Sequence, residues 1–213
     1  MKVVIVGIPG AGKSSLLRYV QKVDRRDRII VLDEPVDQWL QEETGNLLGK
    51  FCRDPAKYMY PFQMKVLIDM TERDAGILRA PNDYTFLCER DAYTCLEVFV
   101  KLGIENGYMV EESKDVLFDM CRLQSDFDIH PDLYVYVKIT PEEALDRIRR
   151  RNRHGEYERY GKNNAKYLKQ LYDRHQELFA SKASVWNVPI VVLDGSDLVE
   201  KSYEELMRHL VSR

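Results

Sequence analysis

The chain alternates short apolar runs with longer stretches in which apolar residues recur every three or four positions. The runs at 2–7, 29–32, 84–88, 133–139 and 189–193 are short and rich in β-branched and aromatic residues. Such runs predict buried strands, and the helical spacing between them predicts crossover helices. That alternation implies a parallel sheet with helices on both faces. Helices are expected over 13–22, from Asp54 to Ala80, and at about 92–102, 109–126, 141–152, 163–186 and 197–212. Pro55 and Pro141 stand where a first helical residue needs no N–H, and Thr140 is placed to cap the helix that Pro141 opens. In the long central helix Met59, Phe62, Val66, Met70 and Ile77 fall at helical spacing. The stretch from Asn152 to Asn164 breaks the pattern with charge, Gly155 and Gly161, and reads as a mobile lid.

Composition narrows the function classes. The chain has 213 residues and 45% hydrophobic content, enough for one full core, and no repeat or linker divides it, so 1–213 is expected to be a single domain. A formal net charge of -3 offers no global basic field for nucleic acid or an anionic membrane. Cys52, Cys88, Cys95 and Cys121 form no C-x-x-C pair, and the four histidines lack metal-ligand spacing, which fits reduced thiols in a cytoplasmic setting. No run approaches the roughly 20 apolar residues of a membrane span, and the first apolar run is too short for a secretory signal.

The candidate chemistry begins at Gly7-Ile8-Pro9-Gly10-Ala11-Gly12-Lys13-Ser14, which fits G-x-x-x-x-G-K-[ST] between a strand and a helix. Glycines let backbone N–H groups turn towards phosphate oxygens, Lys13 adds a point charge, and Ser14 offers a hydroxyl to magnesium. Ala11 and Ser15 complete the expected cradle, and the positive end of the following helix faces the same anion. Ligands of open parallel sheets sit beyond the carboxyl ends of the strands, where this chain has Asp33-Glu34-Pro35 and Cys88-Glu89-Arg90-Asp91. Glu34 is placed to accept a proton from an attacking hydroxyl, with Arg90 to keep it ionised and aimed. The plainer alternative for Glu34 is an acid complementing a helix dipole near Pro35. Phosphoryl transfer suits the set, because its loose anionic transition state needs alignment and cations more than a strong base.

These motifs, with Glu34-Pro35-Val36 and Trp39, Gly45-Asn46-Leu47-Leu48, Asp54-Pro55, Pro61-Phe62-Gln63, Glu89-Arg90 and the arginine-rich run from Arg147 to Arg153, occur in the order found in deoxynucleoside kinases. The resemblance spans nearly the whole chain and is similar to the mitochondrial thymidine kinase and insect multisubstrate branch, a viral member included. It implies a P-loop NTPase-type α/β fold with a five-stranded parallel sheet and an arginine-rich lid over about 147–164. It further implies ATP-dependent phosphorylation of a deoxynucleoside 5′-hydroxyl, Glu34 as general base held by Arg90, and Ser14 and Glu89 serving magnesium. Gln63 would read the base, its amide presenting a donor and an acceptor that exchange when it turns over. Val66 and Met70 share its helix face.

Phe62, Val66, Met70 and Trp39 would wall the nucleoside, with ordinary core packing as the alternative. Relatives preferring deoxycytidine or purines carry arginine at the position of Met70 and aspartate at that of Cys95. Their replacement here implies an apolar pocket favouring a thymine methyl, hence pyrimidines with thymidine first and broad tolerance. Arg151 and Arg153 are expected on donor phosphates and Arg147 against the adenine, while Arg149 and Arg150 suit a solvated face. Cys52 stands where the family has a sugar-binding tyrosine, and Glu156, Glu158 or Tyr157 would supply the companion sugar contact. The loop Asp194-Gly195-Ser196-Asp197 is expected to border the donor base, and the family implies a homodimer through helices 55–75 and 92–102. Two rivals are a thymidylate kinase, which usually shows Asp-Arg-Tyr or Asp-Arg-Ser in place of Glu89-Arg90-Asp91, and a nucleotide-dependent switch, for which no Asn-Lys-x-Asp motif is present.

Overall fold

The computed structural model describes residues 1–43, 45–124, 130–152, 156, 165–180, 184–185 and 187–211. Five parallel strands form the centre: β1 (Lys2–Val6), β2 (Ile29–Leu32), β3 (Thr85–Glu89), β4 (Leu133–Lys138) and, after a two-residue β5 (Ser184–Val185), β6 (Val188–Asp194). Their order is β2-β3-β1-β4-β6-β5, with β5 antiparallel to β6 at the edge. In β1 every residue is buried because both faces are covered: Val3 and Ile5 join one apolar cluster, Val4 and Val6 the other. The register Ile5↔Glu89, Leu32↔Cys88 and Val6↔Tyr136 brings the carboxyl ends of β1, β2, β3 and β4 to one rim.

The helices are α1 (Lys13–Val23), α2 (Val36–Leu40), α3 (Leu47–Arg53), α4 (Pro55–Leu78), α5 (Ala92–Thr94), α6 (Lys101–Glu105), α7 (Glu112–Gln124), α8 (Pro141–Arg151), α9 (Ala165–His175) and α10 (Val199–Val211). A π-helical segment, Cys95–Val100, joins α5 to α6, so the expected helix at 92–102 is continuous but locally underwound and widened. α4 starts as its sequence dictates: the Asp54 side chain accepts from Lys57 N–H and Pro55 takes the first turn. α8 starts with a reciprocal cap, Thr140 Oγ1 accepting from Glu143 N–H and donating to the Glu143 carboxylate at 2.9 Å.

Two expectations change. The segment between β2 and α4, left without helices in the sequence reading, holds α2 and α3. The helix expected over 163–186 ends earlier: α9 passes into a π-helical segment, Gln176–Ala180, and Ser184–Val185 turn back as a strand through Asn187, whose φ of +63° suits a tight reversal. On 55–75 and 92–102, Met59, Leu67, Leu96, Val98 and Val100 are buried in the chain's own core, whereas Tyr60, Met64 and Ile68 are half-buried. Among the described residues the exposed large apolar side chains are Leu78, Val110, Val116, Phe118, Val192 and Leu198. Among the described residues, no helix is long and apolar enough to cross a membrane.

Candidate active site

At the rim, the loop after β1 turns tightly and hands over to α1 at Lys13. Gly10 has φ +84°, and a Cβ there would stand 2.6 Å from the Ala144 carbonyl oxygen, so the loop can lie against α8 only with glycine. Gly7 sits just outside the cavity, its backbone against Val137 of β4. Gly12 occupies the N-cap of α1 and no side chain caps that helix, which leaves its first N–H groups for an anion. Lys13 is 5% exposed; its Nζ lies 3.3 Å from the Ile8 carbonyl and 3.5 Å from Glu89 Oε1. Burial pushes the Lys13 ammonium pKa down, with Glu89 opposing the shift. A triphosphate arriving here would oppose that downward shift by the same electrostatics.

Ser14 Oγ donates to Glu89 Oε2 at 2.9 Å, so a hydroxyl and a carboxylate already share one spot beside the cradle. Among the described residues no cluster of three or more His, Cys, Asp or Glu offers an all-protein metal cage. Two hard oxygen donors beside this candidate phosphate cradle nevertheless fit Mg²⁺, which keeps several waters and takes the rest of its ligands from phosphates.

Across the cavity stands the acid. Glu34 follows β2 and Arg90 follows β3, and Arg90 Nη1 lies 3.0 Å from Glu34 Oε1, both side chains nearly out of solvent. The Arg90 guanidinium also rests over the Phe99 ring, 4.2 Å from its centroid, which fixes its plane. Arg90 itself has φ +60°, a left-handed conformation that costs a non-glycine residue roughly 1–2 kcal/mol. Burial pushes the Glu34 carboxyl pKa up, and Arg90 opposes that rise without cancelling it. The lowering expected from Arg90 is outweighed by desolvation, which leaves a more basic carboxylate than an exposed one.

Further along, Gln63 on α4 is 2% exposed and its Oε1 has no hydrogen-bond partner. An amide oxygen left so in a cavity wall is set up for a ligand donor. Around it Phe62 stacks on Phe51 at 5.1 Å and meets Trp39 edge-on at 5.6 Å, and Trp39 is held by its Nε1–H donating to Asp69 at 2.7 Å. One cavity of about 400 Å³ is lined by Gly10, Ala11, Gly12, Lys13, Ser14, Ser15, Glu34, Trp39, Phe62, Gln63, Val66, Glu89, Arg90, Arg147, Arg151 and Glu156. It thus gathers most of the residues picked from the sequence.

Met70 and Cys95 are not in that lining. Both are buried, with Cys95 Sγ 3.5 Å from Met70 Sδ, and Met70 borders a second cavity on the far side of Glu34. Cys52 is buried too and absent from the lining, where Leu48 and Phe51 of the same short helix stand instead. Phe51, Leu48 and Phe99 were missed in the sequence. The signal for the first two was Asn46 as N-cap of α3, whose side chain accepts from Gly49 N–H.

The arginines of α8 close the other flank. Arg147 Nη1 lies 3.4 Å from the Ala11 carbonyl, and Arg151 pairs with Glu156. Arg150 also reaches the cavity while pairing with Asp146, whereas Arg149 does not line it. Gly195, Asp197, Val199 and Ser202 form the rim beyond Arg147. Arg153, Tyr157, Glu158 and most of the expected lid lie outside the described residues.

A family model described as deoxynucleoside kinase matches residues 3–212. The thymidine kinase of Ictalurid herpesvirus 1 is 27% identical over 204 residues, covering 96% of this chain and 85% of that protein. The deoxyadenosine kinase of Dictyostelium discoideum is 27% identical over 199 residues, covering 93% and 74%. The mitochondrial thymidine kinase 2 of Homo sapiens is 25% identical over 205 residues, covering 94% and 72%.

Proposed function

We propose, from the premise that the chain belongs to the deoxynucleoside kinase family of phosphotransferases, that it moves the γ-phosphate of ATP to the 5′-hydroxyl of a deoxynucleoside, with thymidine preferred and other acceptors tolerated. The observation that carries this reading is the single cavity in which a phosphate cradle, a buried carboxylate–arginine pair and an unpartnered amide oxygen face one another. The nucleoside base lies between Gln63 and the Trp39–Phe51–Phe62 group, which points its 5′-hydroxyl at Glu34. The hydroxyl oxygen attacks the γ-phosphorus, its proton passes to the Glu34 carboxylate, and the bond from γ-phosphorus to the β-phosphate oxygen breaks to release ADP. Lys13 and the first N–H groups of α1 hold the phosphate oxygens in line, while Arg147 and Arg151 reach the donor from α8. Ser14 and Glu89 would hold Mg²⁺, whose chemistry there is to neutralise charge on the phosphate oxygens.

The thymidine preference is supported by the apolar character of the base end. Trp39, Phe51, Phe62 and Val66 line it, and burying one methyl group against them is worth about 0.8 kcal/mol, while the buried Met70–Cys95 pair outside that lining brings no charge. Weak selection for a sugar 3′-hydroxyl follows from Leu48 and Phe51 on the wall, with Glu156, paired with Arg151, as the carboxylate on the same lining. A homodimer and an intracellular setting accompany the family reading. An acceptor panel of the four deoxynucleosides and thymidine monophosphate, each with ATP and Mg²⁺, tests it. Thymidine should give the highest kcat/KM. Preference for the monophosphate would favour a thymidylate kinase, and ADP formation independent of any acceptor would favour a nucleotide switch.

A further inference from the structure

Arg73 sits on α4 three residues beyond Met70 and ten beyond Gln63, so the three fall along one side of the helix. Helical side chains lean back towards the N-terminus of their helix, and Arg73 leans towards the rim where β3 ends. There one guanidinium takes two successive carbonyls: Nη1–H donates to the Glu89 oxygen at 3.0 Å and Nη2–H to the Arg90 oxygen at 2.8 Å. In an extended strand successive carbonyls point to opposite sides, so both can meet one side chain only because Arg90 turns into the left-handed region. The fork is itself held from behind. Arg73 Nε lies 3.2 Å from Asp74 Oδ1, and Asp74 Oδ2 lies 2.7 Å from Lys2 Nζ at the start of β1. The rest of the turn is anchored as well: Arg90 N–H donates to the Ile5 carbonyl at 3.0 Å, and Asp91 accepts from Tyr134 OH at 2.6 Å and Thr94 N–H at 2.8 Å.

We propose that Arg73 is a positioning residue for phosphoryl transfer: by clamping both carbonyls of the Glu89–Arg90 turn, it holds the strained backbone from which Arg90 reaches Glu34 and Glu89 reaches Ser14. The inference rests on the kinase reading of the cavity. It also gives the base-reading helix a second task, since α4 carries Gln63 in its first half and the clamp towards its C-terminal end. Arg73 lines the second cavity, behind Glu34, and is absent from the lining of the one assigned to substrates, so its effect reaches the reaction only through the turn it grips.

The test compares Arg73→Met and Arg73→Lys with the parent enzyme, reading kcat, the KM values of ATP and thymidine, and thermal stability. Misplacing catalytic groups by an ångström costs about 100-fold in rate, which is the expected fall in kcat for Arg73→Met, with both KM values within about twofold. Lysine is a point charge that cannot fork, so Arg73→Lys should fold and still lose about tenfold in kcat. A purely structural role would lower stability or yield while leaving kcat per folded site unchanged, and that result overturns the proposal. If Arg73→Met does not fold, Arg73→Lys decides alone: kcat at the parent level overturns the clamp, and a reduced kcat at constant KM supports it. Glu34→Gln is measured alongside. Should Glu34→Gln stay active, the assignment of the base fails; should it be inactive while Arg73→Lys keeps full kcat, only the clamp fails.

Discussion

Replacing Gln63 by Leu should harm catalysis and help stability, and the two effects come from the same atom. In the ligand-free cavity Gln63 Oε1 is buried without a partner, a state that costs about 1–3 kcal/mol. Leucine of similar volume removes that cost, so unfolding free energy should rise by about 1 kcal/mol, or about 2–4 °C in Tm for a chain of this size. With nucleoside bound the balance reverses. Two hydrogen bonds to the base edge, at about 1 kcal/mol each, are lost, and the base groups left against leucine add about 1–2 kcal/mol. The sum predicts a fall of about 10²- to 10³-fold in kcat/KM for thymidine, while the KM of ATP stays within about twofold. Steady-state kinetics with varied thymidine and urea denaturation of the same preparation read both quantities. A Gln63→Leu enzyme with kcat/KM within about threefold of the parent, or one destabilised by several kcal/mol, would refute the placement of this amide as the base reader.

Met70→Arg should bury an unpaired charge beside Cys95 and cost about 3–5 kcal/mol of stability; adding Cys95→Asp should recover part of it and lower the ratio of thymidine to deoxycytidine turnover, as melting curves and paired kinetics would show. His175 is fully buried against the rings of Phe99, Tyr136 and Phe179, and desolvation drives its pKa from 6.5 to about 3. The native state therefore binds fewer protons than the unfolded state between those values, so this group's contribution is full above pH 6.5 and is lost as pH falls towards 3, at about 1.4 kcal/mol per pH unit. His175→Phe should remove that slope; a stability difference between the two proteins that is constant from pH 7 to pH 5 would contradict the buried neutral state.

What the sequence made legible follows from how local each signal is. All five parallel strands were visible because their runs are short and apolar, uniformly so where both faces are covered, as in Val3 to Val6 and Leu133 to Val137. The tight Gly-rich turn after β1 was legible because its glycines, Lys13 and Ser14 are contiguous. The helices α2 and α3 were not: at five and seven residues they are too short for periodicity to declare them, and tertiary packing of Trp39 and Phe51 against Phe62 holds them in place. The direction of the Glu34 shift was also hidden, since it turns on how much water is excluded, which no spacing records. Gln63 and Met70 share a helix face as expected, yet only Gln63 reaches the cavity, because a face wider than one pocket also packs against Cys95.

The account turns on a carboxylate taking a proton opposite a phosphate cradle, and single-turnover transfer by Glu34→Gln measures that directly. With enzyme in excess over ATP and saturating thymidine, formation of thymidine 5′-phosphate should slow by about 10²- to 10⁴-fold, with ATP affinity unchanged. Transfer at the parent rate would show that another group carries the proton and that the Glu34–Arg90 pair serves the fold alone.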